Sequence, residues 1–126
     1  MFKPRSVHPT IPVTDLEAAK AWYAERLGIE PAREAFDGAW YEIGDRDLLI
    51  YPSGFAGTNQ ATTAEFIVDD VPAAVADLRD RGVVLEDYDF PELKTVEGIA
   101  TFGDQQSAWF RDLDGNILAL TSLPRA

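Results

Sequence analysis

The sequence predicts an α+β fold made of two repeated modules, each with one strand, one helix and three further strands. The main observation is an internal repeat: Asp15 and Asp70, each placed to cap a helix, lie 55 positions apart (70 − 15). The same offset maps Leu16 to Val71, Ala18 to Ala73, Ala19 to Ala74, Tyr23 to Leu78 and Arg26 to Arg81. A second observation is the period of the hydrophobic residues, which is helical after each aspartate and strand-like elsewhere. We therefore expect the chain to fold as two copies of one βαβββ unit.

In the first module, a short strand over Val7–Val13 contains Pro9 and Pro12, which cannot donate to a ladder and so indicate an edge position. Asp15 caps a helix that Gly28 ends. Three strands are predicted around Ala32–Phe36, Ala39–Ile43 and Asp47–Tyr51. The turn-forming segment 52–60 then links the two modules.

The second module begins with a strand over Thr62–Val68 and a helix that Asp70 caps and that ends near Gly82. Further strands are predicted at Val83–Leu85 and Ile99–Phe102. The acidic segment Glu86–Gly98 is interpreted either as a binding loop that covers the site or as a disordered excursion, and both interpretations stay open.

The module closes with a hairpin over Ser107–Ser122, SAWFRDLDGNILALTS. Two β-prone runs flank a turn whose Asp and Asn side chains cap it and whose Gly115 can take positive φ. We interpret Asp112 and Asp114 as structural residues of this turn.

Composition places the chain among small globular proteins. Of its 126 residues, 46% are hydrophobic and 11% aromatic, enough for the core of one domain over 1–126, with modules at about 5–57 and 61–124. The net charge of −11 argues against nucleic acid, because the basic residues are scattered among twice as many acids. No apolar run reaches membrane-spanning length and the N-terminal residues lack a signal-peptide core, so we expect a cytoplasmic protein without a membrane partner. Without cysteine, disulfides and thiolate sites are excluded.

The segment Val7–Gly28, VHPTIPVTDLEAAKAWYAERLG, and the closing hairpin together resemble the vicinal oxygen chelate superfamily. That superfamily includes glyoxalase I, extradiol dioxygenases, fosfomycin-modifying enzymes and bleomycin-resistance proteins. The resemblance implies that the two modules form a curled, cup-like mixed sheet around a shared pocket, and that the protein is a homodimer. Open sheet edges are a physical reason for such pairing.

In metal-dependent members that resemble this sequence, each module supplies one metal ligand from its first strand and one from its last. His8 matches the first of these positions. The others fall on Thr63, on Ala119 and within Leu49–Tyr51, where no carboxylate stands. A catalytic site needs about three protein N or O donors. We therefore predict no metal site and no other cofactor.

Strand alternation indicates which side chains face the cup. Thr63, Glu65 and Ile67 share one face, His8 shares a face with Thr10, and Ala119 shares a face with Ile117 and Thr121. Strand aromatics that face inward could stack on a planar ligand. The candidate ligand-binding residues are His8, Thr10, Trp40, Tyr51, Thr63, Glu65, Phe102, Trp109, Ala119 and Thr121.

Glu65 has two open interpretations. It is either an anchor or general base for a ligand, or a solvated acid at a strand end. Two functions follow from the residues and the resemblance. The first, which we favour, is a metal-free protein that binds a small aromatic or cationic molecule, as bleomycin-resistance proteins do. The second is an enzyme of the glyoxalase or dioxygenase type with His8 and Glu65 as a catalytic acid/base pair. A third interpretation is that the pocket has lost its function and the chain serves as a partner domain.

Overall fold

The computed structural model describes residues 1–123; position 124, given above as the end of the second module, lies outside them. The elements follow the predicted repeat, and the α+β fold is confirmed. The first module contains β1 (Thr10–Val13), α1 (Leu16–Trp22) with a π-helical continuation (Tyr23–Leu27), β2 (Arg33–Ala35), β3 (Gly38–Ile43) and β4 (Arg46–Pro52). The second contains β5 (Thr62–Ile67), α2 (Val71–Asp80), β6 (Asp89–Phe90), β7 (Leu93–Lys94), β8 (Ile99–Phe102), β9 (Gln105–Arg111) and β10 (Ile117–Thr121).

Two four-stranded mixed sheets carry the same topology. The first sheet has the order β1-β4-β3-β2 and the second the order β5-β10-β9-β8. In both, the first strand of the module pairs in parallel with the last, and the other pairs are antiparallel. β1 lies at the edge of its sheet, as Pro9 and Pro12 predict. Together the two open sheets and their helices form the expected α+β cup.

The helices begin and end where the sequence predicts. The side chains of Asp15 and Asp70 each accept a hydrogen bond from the backbone three residues on. Gly28 ends the first helix in the left-handed conformation, with φ of 70°. The related pair Arg26 and Arg81 join the helix ends reciprocally: Arg26 donates to the carbonyl of Gly82, and Arg81 donates to a carbonyl at the end of the first helix.

One hydrophobic core contains residues of both modules, so the two units fold as one body. Alternation along each strand sends one set of side chains to this core and the next set to the opposite face. The core side holds Ile11, Val13, Ala39, Tyr41, Leu48, Ile50, Ala108, Phe110, Leu118 and Leu120, with Ala64, Phe66 and Val68 packed against it. The helices pack on this core side through residues such as Tyr23, Val75 and Leu78, and the opposite face of each sheet is called the open face below.

One predicted strand is wrong. Val83–Leu85 forms only an isolated bridge, between Leu85 and Phe110. The physical reason is that the antiparallel bridge places Leu85 opposite Phe110, so Val84 and Val83 would need partners at Arg111 and beyond it, where β9 ends and its turn begins. The segment that follows, Glu86–Gly98, contains the short β6–β7 hairpin.

Candidate functional site

The open faces of the two sheets each carry one tryptophan. The sequence could not tell which member of two adjacent aromatic pairs faces inward. Tyr41 and Phe110 are fully buried in the core, so Trp40 and Trp109 lie on the open faces. Each is part of a different cluster.

On the open face of the first sheet, Trp40 is the centre of a small cluster. The His8 ring lies 4.7 Å from the indole, and the Arg33 guanidinium lies over the indole at 5.0 Å, in a cation–π contact. The indole N–H donates to Asp37. Thr10 lies on the same face, because both Thr10 and Trp40 pair with Leu49. Tyr51 lies there too, two residues after Leu49 on β4. Trp40 is therefore already engaged by protein side chains.

On the open face of the second sheet, Trp109 lines a cleft of about 720 Å³. Tyr88 contacts the indole edge to face with centroids 5.5 Å apart, and Phe90 stacks on Tyr88 at 5.9 Å. The cleft is lined by residues 57–62 and by Tyr88, Phe90, Leu93, Trp109, Arg111 and Ile117. The volume is in the range of small-molecule pockets, and the lining combines an aromatic and apolar side with the polar linker residues Thr58, Asn59 and Gln60.

The hairpin that brings Tyr88 and Phe90 to the cleft is closed at its base by hydrogen bonds. The Asp87 carboxylate accepts from the Thr95 hydroxyl at 2.9 Å and from the backbone N–H of Gly98 at 3.0 Å. The Thr95 hydroxyl in turn accepts from the backbone N–H of Tyr88 at 2.9 Å. The segment Glu86–Gly98 thus forms one side of the cleft with a defined structure, and its role as a binding loop stays a prediction.

Charge at the cleft is balanced locally. The Arg111 guanidinium pairs with Glu86 and also donates to the carbonyl of Gly115. Burial raises the pKa of the Tyr88 phenol, and the nearby Glu86 carboxylate raises it further. At neutral pH the phenol is therefore protonated and offers an O–H donor beside the rings.

The linker forms the other side of the cleft because it is attached to the β9–β10 turn. The backbone N–H of Gly57 donates to the Asn116 side chain at 3.2 Å. A Cβ at position 57 would lie 1.9 Å from the carbonyl oxygen of Asp114, so only glycine allows this approach.

The turn itself is structural, which confirms the interpretation of Asp112. Its carboxylate is 6% exposed and accepts four hydrogen bonds, from the Tyr23 hydroxyl, the Asn116 side chain and the backbone of Asp114 and Asn116. Asn116 also donates to the carbonyl of Pro12 at 2.7 Å. The turn therefore joins the linker, the end of β1 and the first helix.

The residues present do not fit the metal site that the resemblance to the vicinal oxygen chelate superfamily implies. Ala119 has no donor atom, and Thr63 is a poor ligand whose hydroxyl is buried without a hydrogen bond among residues 1–123. The side chain of His8 packs on Trp40. No group of three His, Asp or Glu side chains converges on one point within the described chain.

The predicted site residues divide between the two open faces. His8, Thr10, Trp40 and Tyr51 belong to the first sheet. Glu65, Phe102, Trp109, Ala119 and Thr121 belong to the open face of the second, and Thr63 lies at the β-bulge where β5 pairs with β10. Trp109 alone of the ten lines the aromatic cleft. The proposed acid/base pair is not in contact: no hydrogen bond or ion pair joins His8 to Glu65 within residues 1–123.

Sequence reasoning missed most of the cleft. Tyr88, Phe90, Leu93 and Arg111 were not candidates, and neither was the linker. The available signal was the presence of Tyr88 and Phe90 in an otherwise acidic, turn-rich loop. A loop that is simply solvated favours polar and charged residues, so two aromatic side chains there indicate a contact with the rest of the protein.

None of the helices within residues 1–123 has the length and apolar character of a membrane span. No curated protein sequence matches the chain. The family model described as "Glyoxalase/Bleomycin resistance protein/Dioxygenase superfamily" matches residues 5–120.

Three solved structures with the same fold are informative. UcmS2 is 22% identical, with a TM-score of 0.72 over 95% of this chain and 98% of that one. TnmS3, an antibiotic binding protein from Streptomyces sp. CB03234, is 24% identical, with a TM-score of 0.63 over 97% and 100% of the two chains. The fosfomycin resistance protein FosX from Listeria monocytogenes is 17% identical, with a TM-score of 0.66 over 98% and 96%.

Proposed function

This chain belongs to the Glyoxalase/Bleomycin resistance protein/Dioxygenase superfamily, and we propose that it is a metal-independent protein that binds and sequesters a small aromatic molecule, such as a drug or toxin. The observation that carries the proposal is the aromatic cleft on the second sheet, where Tyr88, Phe90 and Trp109 surround a space of about 720 Å³. TnmS3, which shares the fold, is an antibiotic binding protein.

The physical basis is burial of a flat ring against these side chains. Each aromatic contact adds about 0.5–1.5 kcal/mol beyond the area that it buries. The hydrogen-bonded base of the hairpin holds Tyr88 in place before a ligand arrives, which lowers the entropy lost on binding. A binding protein needs these features and no catalytic group.

The test is calorimetric titration with N-acetyl-naphthylethylamine, a neutral aromatic amide. We expect Trp109→Ala to weaken binding at least about tenfold, equivalent to about 1.4 kcal/mol. Trp40→Ala, on the corresponding strand of the first sheet, is the matched control and should keep the affinity within about twofold. Unchanged affinity in Trp109→Ala would refute the cleft as the binding site. An equal loss in both variants would instead place the ligand in a pocket that the two sheets share.

We also propose that the protein is a homodimer and that it carries no metal as purified. Native mass spectrometry of freshly purified protein tests both, and any retained organic ligand would appear as extra mass. A monomer, or a stoichiometric metal, would contradict this part of the proposal. A cytoplasmic location stays a prediction of the sequence.

The alternative function is catalysis with His8 and Glu65, and one observation supports it. The Thr121 hydroxyl donates to the Glu65 carboxylate at 3.0 Å, which orients this carboxylate as a candidate general base on the open face. Under this alternative, His8→Ala and Glu65→Gln would abolish turnover of a carbonyl or hydroxylated substrate while affinity for it persists. Unchanged turnover in both variants would rule it out.

A further inference from the structure

Among the described residues that line the aromatic cleft, Arg111 is the one that carries a charge. The protein as a whole has 22 acids against 11 basic residues, so a lining without Asp or Glu is not what its composition predicts. Another cleft follows the composition and is lined by Asp69, Asp70 and Asp104. At the aromatic cleft, an anion therefore meets a cationic side chain on the wall of an otherwise acidic protein.

Arg111 and Trp109 face the same site. They lie two residues apart on β9, so both side chains are on the open face and their backbones are about 7 Å apart. Both line the cleft and both are accessible: Trp109 is partly exposed and the Arg111 side chain is 53% exposed. Ile117, which pairs with Arg111 across the hairpin, lines the cleft as well. A ring that lies against Trp109 thus has the guanidinium beside it.

The Arg111 guanidinium is held in place and still has donors to offer. Its Nε donates to the Glu86 carboxylate, and its Nη1 donates to the carbonyl oxygen of Gly115 at 3.3 Å. A guanidinium carries more N–H donors than these two contacts use, and Nη2 makes no hydrogen bond within residues 1–123. The planar fork of N–H groups matches the two oxygens of a carboxylate.

The acid that pairs with Arg111 does not line the aromatic cleft. Glu86 and Arg111 together line a neighbouring cleft, and of the two only Arg111 also lines the aromatic one. Tyr88, also on the wall, is a protonated phenol and adds a neutral O–H donor. The charged and titratable groups of the wall are therefore hydrogen-bond donors, which complement a ligand that accepts.

We propose that Arg111 makes the aromatic cleft selective for flat ligands that carry a carboxylate beside the ring. The inference rests on the proposed binding function and names the ligand class for that site. A charge-assisted hydrogen bond is roughly twice as strong as a neutral one. Glu86 offsets part of the attraction and the guanidinium is half exposed, so the gain is modest. The cleft thus favours the ligand charge opposite to the one that the net charge of −11 attracts.

The test compares naphthylacetate, ionised at pH 7, with neutral naphthylacetamide in calorimetric titrations. We expect wild type to bind the acid about three- to fivefold more tightly, against the general repulsion of anions by an acidic protein. In Arg111→Gln this preference should disappear or reverse. In Glu86→Gln, which keeps an oxygen acceptor for Arg111 but removes the opposing charge, the preference should increase about twofold or more.

Arg46→Gln is the matched control for the change in net charge. Its side chain is 81% exposed at the start of β4 in the first sheet, away from the residues that line the cleft. This variant should keep the preference. If naphthylacetamide binds through Trp109 but wild type shows no preference for the acid, or Arg111→Gln retains it, the selectivity is refuted and the binding function stands. If neither compound binds wild type, the binding function itself fails and the selectivity with it.

Discussion

The two modules share a topology and a repeat, yet their open faces differ in kind. Between helix and next strand, the first module has only the short segment 28–32, whereas the second has 81–98 with its hairpin. That hairpin brings Tyr88 and Phe90 to Trp109, while Trp40 is engaged by His8 and Arg33. The repeat thus provides the same scaffold twice, and the longer segment 81–98 forms an aromatic cleft on the second copy.

The strand turns of the modules differ as sharply. The β3–β4 turn is exposed, and within residues 1–123 the one ion pair of its Asp45 is a surface contact to the adjacent Arg46. The β9–β10 turn is buried around Asp112 and joins three other parts of the chain. Stability should therefore depend on the second turn far more than on the first.

The largest expected effect tests that contrast. Asp112→Ala removes the hydrogen-bond acceptor of the buried Tyr23 hydroxyl and of the Asn116 side chain. Each buried donor left without its acceptor costs about 1–3 kcal/mol. We expect the free energy of unfolding to fall by roughly 3–5 kcal/mol, measured by urea denaturation. Asp45→Ala is the matched control and should stay within about 0.5 kcal/mol. Similar losses in the two variants would contradict the contrast between the turns.

A smaller effect concerns two core tyrosines of the first module that differ in their partners. The Tyr23 hydroxyl donates to Asp112 at 2.7 Å, whereas the Tyr41 hydroxyl is buried without a hydrogen bond among residues 1–123. At pH 7, Tyr23→Phe should cost about 1.5–3 kcal/mol, the value of a hydrogen bond to a charged group. Tyr41→Phe should be as stable as wild type or more so. The reverse order in urea denaturation would show that the contact to the second module does not stabilise the fold.

These tyrosines also set an alkaline limit. Burial raises the pKa of Tyr41 to about 12, from an ordinary value near 10. Burial and the Asp112 carboxylate raise the pKa of Tyr23 as well. Because the folded-state pKa is raised, the free energy of unfolding keeps its full value below about pH 10. It falls as the pH rises from there toward the folded-state pKa, because the unfolded chain releases the phenol proton first. Unfolding curves at pH 8 and pH 11 should show this loss in wild type and a smaller one in Tyr41→Phe.

The smallest expected effect concerns the hairpin that the first module lacks. Asp87→Ala removes the acceptor for Thr95 and Gly98, so the hairpin base loosens and binding must order it. We expect affinity for N-acetyl-naphthylethylamine to fall about three- to fivefold, or about 1 kcal/mol. Asp87→Asn keeps a side-chain oxygen acceptor and should restore most of the affinity. Equal affinities in wild type and Asp87→Ala would show that the hairpin needs no such support.

Sequence patterns predicted the repeated framework well because its signals are local. Asp15 and Asp70 cap helices through contacts three residues away, and Gly28 ends a helix through its own φ. The Val83–Leu85 strand failed for a non-local reason. Its residues are β-prone, but the bridge from Leu85 to Phe110 leaves Val84 and Val83 opposite the end of β9 and its turn, where no strand continues to pair with them.

The candidate site shows the same difference between local signals, which the sequence carries, and non-local contacts, which it does not. By itself, the sequence determined the two modules, the turn at Asp112 and the face on which Glu65 lies, because residue spacing fixes each of these, whereas the burial of Phe110 in the structure decided the face of Trp109. Only the tertiary structure decided that Tyr88 and Phe90 meet Trp109 and that Gly57 brings the linker against the turn. Those relations join residues far apart in the chain, through strand register and loop packing that no local pattern encodes.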